Sequence, residues 1–138
     1  MPAFDYATVR AVRVPTGDAV TVGAVLSCRQ ARFLEVVLAD GSAAAERLGL
    51  DAALLDRGLR AFAAVAEGGP DGGPVGRLPA SERFHFLTAT RSAALQTSPV
   101  RTGTTDDPAA ALRDLAQSLG LDAEVDRPST EASGPGAR

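Results

Sequence analysis

Lysine is absent from this chain of 138 residues, and cysteine and histidine each occur once. Without lysine, chemistry that depends on a Schiff base or on a P-loop lysine is excluded. The one cysteine, Cys28, excludes an internal disulfide and a zinc site built from several cysteines. Cys28 ends an alternating apolar stretch, so we expect a buried small hydrophobe rather than a nucleophile. A lone histidine is a poor metal site and no Rossmann glycine spacing is present, so no metal or cofactor is expected.

Long apolar runs and an excess of basic charge are missing too. No stretch reaches the roughly 18 to 20 apolar residues that a membrane helix needs, and the opening Met-Pro-Ala-Phe-Asp lacks the basic and apolar regions of a signal peptide. The net charge is -3, although all 14 basic residues are arginine, and this argues against general nucleic-acid binding. The sequence therefore predicts a cytoplasmic protein that does not engage a membrane.

The first half of the chain has the pattern of a β-meander. Residues 5–14, 19–28 and 31–40 are predicted strands, and in the second of them apolar and small polar side chains alternate. The turn at residues 15–18 and the link at 29–30 are short. Connections of this length predict antiparallel pairing.

Helix signals dominate the second half. Asp51 is the expected N-cap of a helix whose apolar side chains recur at steps of three and four: Leu55, Leu59, Phe62 and Ala66. Residues 79–87 fit a short helix, and residues 91–104 are expected to contain another strand. Asp107 and Pro108 supply an N-cap and a first helical residue for a final helix.

These elements predict an α+β fold, an antiparallel β-meander of three or four strands packed against two to three helices. Residues 1–121 are expected to form a single domain, because domains of about 100 to 200 residues are typical. Residues 122–138 are rich in polar residues, proline and glycine and offer little to bury, so a disordered tail is predicted.

Several motifs resemble one family. They are Phe-Asp-Tyr-Ala-Thr-Val-Arg at 4–10, Val-Gly-Ala-Val-Leu at 22–26, Ser-Glu-Arg-Phe-His-Phe-Leu at 81–87, Arg-Ser at 91–92, Ser-Pro-Val-Arg-Thr-Gly at 98–103 and Thr-Asp-Asp-Pro at 105–108. Together they resemble the domain-of-unknown-function 3037 family over roughly residues 4–117. This chain has Thr21 where the family usually has Asn. The resemblance implies no established activity, but the family's genes are similar to ones found beside a gene for a HipA-like protein kinase, which suggests a partner.

Acidic residues are absent between Arg83 and Thr105, although Arg91 and Arg101 lie in that stretch. A second stretch without acidic residues carries Arg10 and Arg13. If the first strand lies beside residues 91–104, these guanidinium groups converge on one face, where planar donors suit phosphate or carboxylate. We therefore predict an anion-binding site of Arg10, Arg83, Arg91 and Arg101. The alternative is that these arginines are solvated or pair with carboxylates elsewhere.

His85 lies between two phenylalanines, so its imidazole is expected to project away from them or to sit at the edge of the core. A structural histidine is favoured over a catalytic one, because no orienting acid or nucleophile is evident in the sequence.

Two function hypotheses follow. The first is a small non-enzymatic binding or regulatory protein that acts with a larger partner, suggested by the resemblance to be a HipA-like kinase. The alternative is an enzyme for a phosphorylated or carboxylated substrate, with the arginines holding the anion and His85 as acid or base.

Overall fold

An antiparallel sheet of five strands organises the fold of residues 1–89 and 94–121, which are the residues that the computed structural model describes. Its strands are β1 (Ala3–Arg13), β2 (Asp18–Cys28), β3 (Phe33–Leu38), β4 (Leu95–Thr97) and β5 (Arg101–Thr104). The helices are α1 (Ser42–Leu48), α2 (Ala52–Glu67), α3 (Ala80–Thr88) and α4 (Pro108–Ser118), and two 3-10 turns, Pro70–Gly72 and Val75–Arg77, lie between α2 and α3. The predicted α+β class is confirmed.

The strands β1, β2 and β3 form the predicted meander, with β3 at one edge and β1 in the interior. Both β4 and β5 pair with the other side of β1, β4 near its end and β5 near its beginning. The strand expected within residues 91–104 is thus two short strands, which Pro99 separates. Proline has no N–H group to donate to a neighbouring strand, so the pairing is interrupted there. The described chain therefore has five strands and four helices, more than the sequence predicted.

Helices cover both faces of the sheet. On what we call the first face, Ala7, Val9 and Ala11 of β1 belong to a buried apolar cluster shared with α1, α2 and α3. On the second face, Leu26 packs with Leu112 of α4. Since α4 lies mainly on β2 and β3, it leaves β1, β4 and β5 more open on that face. The predicted burial of Cys28 is confirmed, for its side chain is fully buried in the second-face cluster.

The helix starts follow their local signals. The carboxylate of Asp51 accepts hydrogen bonds from the N–H groups of Ala53 and Leu54, and that of Asp107 accepts one from Ala110. Both predicted N-caps are confirmed, and each satisfies helix N–H groups that would otherwise lack a partner. The short helix α1 was not predicted. It starts after Gly41, which has a φ of 82° and provides no side-chain cap.

Gly23 is at an irregularity where the register of β1 and β2 shifts after Val9. A Cβ atom on Gly23 would contact the side chain of Leu38 and would lie 2.6 Å from the carbonyl oxygen of Val37. The close approach of β2 and β3 therefore requires glycine at this position.

Two predicted segments fall outside the described residues: residues 90–93, which include Arg91, and the tail at 122–138. Within the described ranges, no helix is long and apolar enough to cross a membrane.

Candidate functional site

A cleft of about 630 Å³ opens between α3 and the near end of the sheet on the first face. Seven of its ten lining residues have polar or charged side chains; the lining comprises Asp5, Ser27, Arg29, Ser81, Glu82, Phe84, His85, Thr88, Ala89 and Val100. We call it the α3 cleft. Ligand sites are commonly concave surfaces with a few convergent polar groups, so this cleft is the candidate site.

Residues of neighbouring strands, placed side by side by the strand register, form the floor of the α3 cleft. Asp5 of β1 lies directly opposite Ser27 of β2, and directly opposed residues of an antiparallel pair share a face. Thr102 of β5, opposite Asp5 on the other side, donates a hydrogen bond of 2.8 Å from its hydroxyl to the Asp5 carboxylate. Ser27 is only 5% exposed. The floor thus holds one fixed carboxylate and one buried hydroxyl.

One side of helix α3 forms the wall of the cleft. Ser81, His85 and Thr88 follow one another at steps of four and three, so they lie on one side of α3. Phe84 and Leu87 are buried in the first-face cluster and fix the helix over the sheet. The His85 side chain is exposed. Of its two phenylalanine neighbours, Phe84 is buried and Phe86 is exposed, so the two rings do not share one buried face.

Charges of both signs surround the α3 cleft. Asp5 and Glu82 contribute carboxylates, Arg29 at the turn after β2 contributes a guanidinium, and His85 adds an imidazole. Within the described ranges the ion pair found is Arg60 with Asp56, which lies on α2. The charged groups of the cleft are therefore open to a ligand or partner that carries both a basic and an acidic group.

Arg83, one of the predicted anion ligands, serves the backbone. Its Nη1 donates a hydrogen bond of 2.6 Å to the carbonyl oxygen of Leu78, and its Nη2 lies 3.4 Å from the carbonyl oxygen of Ala66. Ala66 is in the last turn of α2, where carbonyl groups lack helical partners and attract a cation. Arg83 therefore holds the loop between α2 and α3 against the end of α2. It is two residues from His85, a spacing that does not bring side chains together on a helix.

Arg10 and Arg101 lie on the second face. Arg101 is directly opposite Tyr6, and Tyr6 contacts the second-face cluster. Arg10 is four residues after Tyr6 on β1. Because side chains of a strand alternate between its faces, Arg10 lies on the same face as Tyr6 and Arg101, and roughly 13 Å from Tyr6 along the strand. The Nε of Arg10 is buried and has no hydrogen-bond partner in the described structure. Arg101 is exposed.

The structure thus divides the predicted arginine set. Arg10 and Arg101 share the second face, Arg83 lies on α3 over the first face, and Arg91 falls outside the described residues. The sheet also separates His85 from Arg10 and Arg101. In the described chain, no group of three or more His, Cys, Asp or Glu side chains is placed to hold a metal ion.

Sequence comparison identifies the class. The chain belongs to the family described as Protein of unknown function (DUF3037), whose pattern matches residues 6–119. Searches of curated proteins and of solved structures find no match. The matched range includes Ser27 and Arg29 of the cleft and all of α3, so most of the candidate site lies within the family's own domain.

Sequence reasoning missed the floor of the cleft. Asp5, Ser27 and Arg29 belong to different strands or turns, and only the register of β1 against β2 brings them together. The predicted hairpin contained part of this signal, because the length of a hairpin loop fixes which residues stand opposite each other. The position of α3 over them depends on packing of Phe84 and Leu87, which no local pattern specifies.

Proposed function

We propose that the protein is a small non-enzymatic binding or regulatory protein, and that it binds a larger partner through the α3 cleft. The observation that carries this proposal is the gathering of Asp5, Arg29, Glu82 and His85 around one open cleft. A surface of mixed charge suits a polypeptide segment with charges of both signs, since complementary charges steer association and fix register. The family resemblance suggests a HipA-like kinase as the partner.

The geometry favours binding over the alternative enzyme. A general acid or base must reach the substrate that the anion-binding groups hold. His85 is on the first face, whereas Arg10 and Arg101 are on the second, so a substrate held by those arginines lies across the sheet from the imidazole. The two terminal nitrogens of Arg83 face backbone carbonyl oxygens, and its Nε, like that of Arg10, is buried without a hydrogen-bond partner in the described structure. The enzyme hypothesis therefore has no shared site for its acid–base group and its described arginines.

Co-expression tests the proposal. The full chain, co-expressed with the neighbouring HipA-like kinase, is expected to elute with it as one complex in size-exclusion chromatography at micromolar concentration. Two separate peaks would contradict it.

A second function is supported by Arg10 and Arg101. We propose that these two arginines bind a phosphate-containing anion on the open part of the second face. The supporting observation is the buried Nε of Arg10, which lacks a hydrogen-bond partner in the described structure, because buried polar groups are nearly always satisfied. The separation of roughly 13 Å between the two positions favours an extended anion over a single phosphate. Thermal stability measured with phosphates of increasing length tests this site.

A further inference from the structure

The outer edge of β3 pairs with no other strand among the described residues. The strand pairs with β2 along its whole length, from Phe33 opposite Cys28 to Leu38 opposite Gly23, without a bulge. No described strand pairs with its other side. Natural edge strands are usually protected by proline, bulges or several charges. In β3, Phe-Leu-Glu-Val-Val-Leu, Glu35 is the only charged residue.

The register shows which peptide groups face outward. The N–H of Ala39 donates a hydrogen bond to the carbonyl oxygen of Val22 on β2, so the N–H and C=O groups of Ala39 point toward β2. In an antiparallel pair, the hydrogen-bonding direction alternates with each residue. The N–H and C=O groups of Leu34, Val36 and Leu38 therefore point away from the sheet. No hydrogen bond to these six groups is found in the described structure.

A groove runs beside this edge. It has a volume of about 480 Å³ and is lined by Leu34, Glu35, Val36, Ala63, Ala66 and Glu67. Leu34 and Val36 contribute apolar side chains on the first face, and the small alanines of α2 leave room above them. The groove can therefore accommodate side chains of a strand added to the edge of β3, because alternate side chains of an added strand would project into it.

The charge of the groove is negative. Glu35 and Glu67 line it, and neither forms an ion pair in the described structure. Glu35 is opposite Leu26 and so lies on the second-face side, whereas Glu67 is on α2 over the first face. The basic side chain two turns before Glu67 on α2, Arg60, is bonded to Asp56 at 2.7 Å. Basic residues on the second-face side of an added segment would therefore complement Glu35.

We infer that the edge of β3 binds an extended segment of a partner protein in which apolar and basic residues alternate. The segment pairs with Leu34, Val36 and Leu38 through its backbone, places apolar side chains over Leu34 and Val36 on the first face, and sets basic side chains beside Glu35 on the second face. Backbone pairing supplies affinity in this mode of recognition and the side-chain pockets supply specificity. The groove shares no lining residue with the α3 cleft, so this inference stands independently of the proposed function.

Amide hydrogen exchange of the full chain tests the inference, with a seven-residue peptide of alternating Val and Arg as the probe. The peptide is expected to slow exchange about tenfold or more at Leu34, Val36 and Leu38, because their N–H groups become bonded. The amides of Glu35 and Val37 should change little, because they already pair with β2. A peptide of alternating Val and Glu should have no such effect. Equal protection by both peptides, or none at the three amides, would overturn the inference.

Two variants separate backbone pairing from side-chain packing. Val36→Pro removes one outward N–H, which an edge strand tolerates, whereas Val36→Ala keeps it and shortens the side chain. The proline variant is expected to bind the Val–Arg peptide at least about tenfold more weakly than the alanine variant. Equal affinities would contradict backbone pairing. Light scattering of the protein without peptide completes the test. If the measured mass is doubled and the same three amides are protected, a second copy of the chain, and not a partner protein, occupies the edge.

Discussion

The guanidinium of Arg83 donates a hydrogen bond of 2.6 Å to the carbonyl oxygen of Leu78, across the loop that joins α2 to α3. The same side chain approaches the carbonyl oxygen of Ala66 at the end of α2. Arg83 therefore stabilises the position of α3, the helix that forms one wall of the α3 cleft, rather than lining the cleft itself.

Replacement of Arg83 by methionine tests this role. Arg83→Met keeps an apolar stem but removes the donors, so we expect the free energy of unfolding to fall by about 1–3 kcal/mol, the cost of leaving carbonyl groups unpaired. Arg77→Met is the matched control, because Arg77 is exposed in the adjacent 3-10 turn and has no side-chain hydrogen bond in the described structure. Denaturant unfolding measures both. Equal effects of the two substitutions would show that Arg83 has no structural role.

Gly58 weakens α2 without a packing reason. It is within the helix, and a Cβ atom there would have Leu95 at 3.8 Å as its nearest neighbour, an ordinary contact. Gly58→Ala is therefore expected to raise the free energy of unfolding by about 0.5–1 kcal/mol, because alanine loses less conformational freedom in a helix. A lower melting temperature in this variant would mean that α2 approaches β4 more closely than the structure shows.

Replacement of Gly23 is expected to have the opposite effect on stability. Gly23→Ala would place a methyl group against Leu38 and 2.6 Å from the carbonyl oxygen of Val37. We expect a loss of about 1–3 kcal/mol, the usual cost of overpacking a core. Urea unfolding of this variant beside Gly58→Ala provides an internal comparison. If Gly23→Ala left the midpoint unchanged, the packing of β2 against β3 would be looser than described.

Arg101 provides the cleanest test of the anion-binding proposal, because it is exposed and its replacement should leave the fold intact. Triphosphate is expected to raise the melting temperature more than phosphate, with a stabilisation of about 2.7 kcal/mol at a hundredfold excess over the dissociation constant. Arg101→Gln should remove most of this stabilisation, whereas Arg113→Gln on α4 should retain it. Salt should weaken the effect. Identical melting curves for all phosphates and for chloride would rule the site out.

Local signals predicted much of the fold. Asp51 and the Asp107-Pro108 pair mark helix starts through backbone N–H groups only two or three residues away, so the sequence alone contains the full interaction. Helix α1 lacks such a signal: it has seven residues and begins after a glycine with positive φ. Short helices depend on tertiary packing, here the burial of Ala44, Ala45 and Leu48, rather than on propensity.

The candidate site was harder to predict, because it depends on contacts distant in the sequence. The hydrogen bond between Asp5 and Thr102 joins residues 97 positions apart. The absence of acidic residues between Arg83 and Thr105 was a real feature of the sequence, but it did not specify faces: Arg83 lies on a helix over the first face, and the side chain of Arg101 lies on the second face of the sheet. Charge placement along a chain predicts a shared site only when the topology is known.

The affinity of the purified protein for the co-expressed kinase, compared between two charge-reversal variants, tests the binding role of the α3 cleft most directly. Arg29→Glu changes an exposed residue of the cleft, and Arg113→Glu makes the same change of charge on α4, on the other side of the sheet. Isothermal titration calorimetry should show that Arg29→Glu weakens binding about tenfold or more, and that Arg113→Glu leaves the affinity unchanged. An Arg29→Glu variant that binds the kinase as tightly as the wild type would contradict the proposed function.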